Sequence, residues 1–137
     1  MSGTWTLPFR RRLLSTVFLD EPLGFTDFQL CLTRRVPAAN ADLSQLDEPT
    51  GMGYSRQQFS VGSANWQLSA AGEVVNKGLL YFSTATGTWG VMTGWALISV
   101  EATPMVCAVG TLAEPYRVVA GIQPYVPVGG LAVGLYD

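Results

Sequence analysis

After Leu19 no long stretch of this chain carries the 3.6-residue apolar period of an amphipathic helix. In its place, short apolar or alternating runs recur every eight to twelve residues from Tyr54 onward, separated by Gly, Pro, Asn and Ser. That spacing predicts an all-β sandwich or barrel. The predicted strands are Tyr54–Val61, Asn65–Leu68, Glu73–Asn76, Leu79–Ser83, Trp89–Val91, Gly94–Val100, Met105–Leu112, Tyr116–Ala120, Gln123–Pro127 and Leu131–Leu135. Upstream, Phe28–Thr33 alternates Phe28, Leu30 and Leu32 with Gln29, Cys31 and Thr33, the mark of a strand with one buried face.

The segment Thr6–Leu19 places Leu7, Leu14 and Phe18 at helical spacing, with Pro8 near the start, where its missing N–H costs nothing. The run Asp20-Glu21-Pro22-Leu23-Gly24 ends that helix. The chain therefore reads as a helical arm over residues 1–20 and one β-sandwich domain over 21–137. Residues 36–53 form a polar connection too long for an ordinary loop, which is functional, mobile or draped on a neighbour.

Within Thr84–Glu101 both faces of the predicted strand are apolar. Trp95 and Leu97 share one face with Ser99, and Ala96, Ile98 and Val100 share the other. A strand apolar on both sides is buried on both sides. One face meets the core, and the arm, the long loop or a second subunit must cover the other. Core candidates are Phe82, Trp89, Gly90, Trp95 and Leu97, with Gly90 suited to a positive φ or a close backbone approach.

Charged residues make up 13% of the 137 residues, about half the usual share, and Lys77 is the sole lysine. So little charge suits a surface that faces other protein. Interface candidates are Trp5, Phe9, Arg10, Arg11, Arg12, Leu46, Tyr54 and Arg56. The arginine run reads as the solvated face of a short helix rather than a phosphate grip. A net charge of −2 argues against non-specific nucleic-acid binding.

Histidine is absent, which removes the commonest general base and metal ligand. The carboxylates are scattered, and Cys31 and Cys107 stand far apart in apolar surroundings. No catalytic residue, cofactor or metal site is expected. The start, MSGTWTLPFRRR, lacks the apolar core of a secretory signal, and no apolar run reaches the roughly 18 residues of a membrane span. Folding in the host cytoplasm with two buried free thiols is the expectation.

Across residues 51–137 the order of motifs resembles a group of small tailed-phage virion proteins, the head-decoration (cement) and tail-fibre-like group. The matching positions are Gly53, Tyr54 and Arg56, then Trp66, Asn76, Phe82, Trp89-Gly90, Trp95 to Ile98, and a closing strand at Leu131–Leu135. The resemblance implies a jelly-roll-like β-sandwich in a virion, without enzymatic activity. The first reading is a capsid decoration protein on the capsid surface, clamping the major capsid protein and copies of itself as a homo-oligomer. The alternative is a small tail or tail-fibre component that binds a host glycan.

Overall fold

In the computed structural model residues 1–134 are described; Leu135, the end of the expected closing strand, lies outside the described residues. Strand β1 (Ser2–Trp5) leads into helix α1 (Leu7–Phe18). Next come β2 (Asp27–Thr33), a 3-10 turn (Leu43–Gln45), β3 (Gln57–Ser60), β4 (Trp66–Leu68) and β5 (Val74–Asn76). The chain ends with β6 (Leu80–Tyr81), β7 (Gly90–Ser99), β8 (Val106–Val118), β9 (Tyr125–Val126) and β10 (Ala132–Gly134). The fold is all-β with a short N-terminal helix, as the sequence predicts. Eight strands form one sheet in the order β3-β2-β7-β8-β1-β10-β5-β4, and β6 pairs with β9 in a second, small sheet.

The order carries its own geometric demand. Strands β3 and β4 stand at opposite ends of the large sheet, yet only residues 61–65 separate them in the chain. The sheet must therefore curl until its ends approach. The Phe59 ring on β3 lies 5.2 Å from that of Trp66 on β4, and Asn65 Nδ2 donates to the Ser60 carbonyl at 3.0 Å. The half around β2 and β7 thus faces the half around β1 and β10. Trp5 on β1 reaches to 6.2 Å from Phe28 on β2, although β7 and β8 separate these strands within the sheet.

A single row of residues crosses seven strands at the heart of the fold: Leu32, Trp95, Gly110, Gly3, Val133, Val74 and Leu68 are successive cross-strand partners. Trp95 is wholly buried. A Cβ on Gly110 or Gly3 would overlap its indole. The two glycines leave room for the indole, so the largest side chain in the row fills the space that two missing ones vacate.

The other face of β7 is also dry. Ala96, Ile98, Cys31, Val106 and Val109 form a second buried cluster, and Leu43 and Leu46 of the long loop pack against it. The loop therefore covers the outer face within the chain. Leu46, expected at an interface, belongs to this cover.

The N-terminal segment differs from the expected arm. Strand β1 lies inside the large sheet, antiparallel to β8 and parallel to β10. Its four residues are small or polar apart from Trp5, so no local pattern announces it. Helix α1 begins at the N-cap Thr6, whose Oγ1 accepts from Phe9 N at 3.4 Å and donates to the Val106 carbonyl at 2.7 Å. Phe9, expected at an interface, is buried in the core, 4.9 Å from Trp5. By contrast Leu7, Leu14 and Phe18, the spacing that predicts the helix, face solvent.

Pairs of predicted strands also merge. Trp89–Val91 and Gly94–Val100 become β7, and Met105–Leu112 and Tyr116–Ala120 become β8. The interruptions are bulges: Met92 pairs with Tyr116 but Gly94 with Thr111, so residues 112–115 bow out of the ladder around Pro115.

The row yields a direct expectation. Trp95→Ala should cost about 3–5 kcal/mol. Gly110→Ala should cost about 1–3 kcal/mol or more by overpacking. Gly78→Ala, with open space at its Cβ, should change little. Denaturant midpoints of the three variants check the ranking. Equal midpoints for Gly110→Ala and Gly78→Ala would show that the glycine does not make room for the indole.

Candidate interaction surfaces

The polar residues marked by the sequence are mostly spent inside the fold. Glu48 accepts from Arg56 Nη2 at 2.6 Å, from Arg56 Nε at 3.1 Å, and from the Tyr54 hydroxyl at 2.7 Å. The Tyr54 hydroxyl in turn accepts from Leu32 N at 3.2 Å. Beside it Arg34 donates to the Trp89 carbonyl at 2.8 Å and to Asp47 at 3.2 Å. Trp89 is buried, with Nε1 donating to the Met52 carbonyl at 2.8 Å. These bonds clasp the long loop to β2 and to the start of β7. Tyr54 and Arg56, expected at an interface, serve this clasp. Burial pushes the Tyr54 phenol well up, with Cys31 and Glu48 adding to it.

The arginine run divides by direction. Arg12 makes a bidentate pair with Glu101, both contacts 2.7 Å, and also caps the Leu23 carbonyl and the Phe25 ring. Arg10 donates to Thr4 Oγ1 at 2.9 Å, while Arg11 is exposed. The reading of a purely solvated helix face therefore holds for Arg11 and fails for Arg12, which ties α1 to the end of β7.

Phe82 and Leu97 are buried, and Gly90 takes φ +104° with Arg34 Nε 3.1 Å from the position of a Cβ. Asn76, a position in the resemblance, is buried and fully bonded: it donates to the Gly78 and Pro127 carbonyls and accepts from Leu131 N. It bolts β5 to the turn before β10.

Chemically, the interior is quiet. Both cysteines are free and buried, and burial pushes their thiols up to about 12, so they stay protonated. Among the described residues no three of Cys, Asp and Glu gather as metal ligands. Among the same residues no helix is long and apolar enough to cross a membrane.

What the fold leaves outside is apolar and aromatic. On α1 Leu7, Leu14, Val17, Phe18 and Leu19 are exposed, Phe18 by 76%. At the seam between β3 and β4 an open cavity of about 440 Å³ is lined mainly by Trp5, Phe28, Trp66, Leu68, Leu97 and Val133. Three tyrosines, Tyr81, Tyr116 and Tyr125, stand on the surface around the small sheet. Sequence patterns could not find the seam or the tyrosine cluster, because their residues come from distant strands.

The sequence matches the family described as Podophage GP4 fiber I protein gp80 over residues 27–134. The match starts at the first residue of β2 and runs to the last of β10, leaving β1 and α1 outside it. No curated protein matches the chain.

The Arg12–Glu101 pair predicts a pH response. Arg12 holds the Glu101 carboxyl below its ordinary 4.5, with Ser99 helping. The stabilisation is complete above that value and is lost as pH falls through the lowered one. Between about pH 6 and about pH 3 the wild type should lose more stability than Glu101→Gln, measured by urea unfolding. Identical losses would mean the pair contributes nothing to the acid limb.

Proposed function

The chain belongs to the podophage GP4 fiber I protein gp80 family, and we propose that it is a non-enzymatic subunit of the phage tail fibre that assembles with copies of itself. The family match, which spans nearly the whole β-domain, carries this reading. It makes the chain a phage virion structural protein and favours the fibre alternative over capsid decoration.

Two features of the molecule support it. The capsid-clamp reading takes the helical N-terminal arm and the long loop at residues 36–53 as the clamp. Strand β1 is instead built into the sheet, and the loop covers β7. The exposed row Leu7, Leu14 and Phe18, flanked by Val17 and Leu19, is then the apolar surface that a neighbouring subunit would cover. Close packing of copies also suits a surface with one lysine and few charges.

A cryo-EM map of the particle tests both parts. The reading expects density for this chain at the tail, in a few to a few tens of copies, with α1 of one subunit against the next. Hundreds of copies spread over the capsid lattice would overturn the fibre assignment. Tail density in which α1 faces solvent would remove the helix contact and leave the fibre assignment standing.

A further inference from the structure

Val17, Phe18 and Leu19 are consecutive and 71%, 76% and 67% exposed. Among the described residues no other large hydrophobic side chains stand exposed side by side in the chain. Leu14, three and four residues before Val17 and Phe18, shares their side of the helix. Together they make an apolar knob at the end of α1, whose last turn carries no basic residue. Arg11 stands exposed nearer the start of the same row, between Leu7 and Leu14. Two such helices laid row to row would enclose both arginines, with no acidic residue in either first turn to offset them. The knob is therefore suited to a hollow rather than to its own copy.

The seam supplies the hollow. Strands β3 and β4 end the large sheet without pairing to each other, and the cavity of about 440 Å³ there reaches Phe28, Leu97 and Val133 of the core. At its mouth Leu68 is 75% exposed. A cavity of about 150 Å³ takes a benzene ring, so this one has room for the Phe18 ring and a leucine beside it. The charges also match. Lys77, the sole lysine, stands at the rim and donates from Nζ to the carbonyl of Ser63, a lining residue, at 2.8 Å. Asp20 and Glu21 follow the knob directly, and both are exposed. None of these three forms an ion pair among the described residues. The other acidic groups near the seam are turned away. Asp27 alternates with Phe28 onto the opposite face of β2 and accepts from Gln58 Nε2 at 2.8 Å. Glu73 lines a separate cavity with Val36 and Pro37.

We infer that the end of α1 in one copy seats in the β3–β4 seam of the next, Phe18 foremost, with Asp20 and Glu21 meeting Lys77. The inference rests on the self-assembly proposed for the chain and adds the surface that receives the helix. Within its own chain α1 is fixed by buried Phe9 and by the Arg12–Glu101 pair, with the knob facing solvent, so the occupant comes from another copy. Burial of the knob supplies the affinity, and the rim charges set the orientation. Knob and hollow are different surfaces, so the contact is heterologous, and copies add head to tail into a ring or a filament.

Sedimentation velocity over a concentration series tests this with two variants at exposed positions. Phe18→Asp removes the knob and keeps the seam, whereas Leu68→Asp puts a charge in the mouth of the seam and keeps the knob. The wild type should associate further as concentration rises, and each variant alone should stay monomeric. An equimolar mixture of the two should form a 1:1 pair and nothing larger. Met52→Asp, at an exposed position outside both surfaces, should behave as the wild type. Circular dichroism of each variant checks its fold. Placed in the Phe18→Asp copy, Lys77→Glu should loosen the mixed pair about two- to fivefold, and Glu21→Lys in the other copy should restore it. The inference fails if either variant alone associates like the wild type, if the mixture does not pair, or if Lys77→Glu changes nothing. Association lost in Phe18→Asp but kept in Leu68→Asp overturns the seam and leaves the helix contact standing. A wild type that is monomeric throughout overturns the inference together with self-assembly. None of these results decides whether the chain stands at the tail, which the density of the particle tests separately.

Discussion

The fold depends on one tryptophan lying across two glycines. Trp95 on β7 faces Gly110 on β8, and beyond it Gly3 on β1. These three residues occupy one cross-strand row at the bend of the curled sheet. Without the glycines the indole has no volume, and without the indole the bend encloses a void that the core cannot collapse to fill. The row also fixes which strands must be present. Because Gly3 sits between Gly110 and Val133, β1 joins the β7–β8 half of the sheet to the β10–β5–β4 half.

The second constraint is that β7 is apolar on both faces in a chain whose sheet has one interior. The long loop solves this locally, packing Leu43 and Leu46 against the cluster that Ala96 and Ile98 form with Cys31, Val106 and Val109. Its polar residues are then held by Glu48 with Tyr54 and Arg56, and by Arg34 with Asp47. The same economy explains Arg12, which leaves the arginine run to pin α1 to Glu101. Charges that look available in the sequence are consumed in fastening irregular backbone to the sandwich. What stays outside is a helix row, an apolar seam and three exposed tyrosines.

Much of this was legible in the sequence, and the failures have a common cause. Helix α1 is announced by Pro8 and the spacing of Leu7, Leu14 and Phe18, and the burial of Trp95 by two-sided apolarity. Strand β1 is missed because Ser-Gly-Thr-Trp has no alternation of its own, and its register comes from β8 and β10, over a hundred residues away. The merging of β7 and of β8 is missed because the predicted strands stop at Val91 and at Leu112, while the ladder carries both gaps as a bulge. The tyrosine cluster is missed for the same reason as β1. Tyr81 and Tyr125 become neighbours only when β6 pairs with β9, and Tyr116 joins them through the curl of the sheet. Tyr54 and Arg56 were legible as interface candidates, but Glu48, the group they meet, was hidden in the loop.

The family match covers residues 27–134 and so leaves out the strand on which the sheet depends and the helix whose apolar row is exposed. In this chain those two elements are one structural statement: β1 completes the core and carries α1 to the surface where a neighbouring subunit would meet it. The sharpest test is to remove residues 1–5 and follow unfolding by tryptophan near-ultraviolet circular dichroism. If Gly3 bridges the two halves of the sheet beneath Trp95, the truncated chain loses the near-ultraviolet signal and its cooperative transition. A cooperative transition near the full-length midpoint, with that signal intact, would contradict the place given to β1 and to the row that Trp95 anchors.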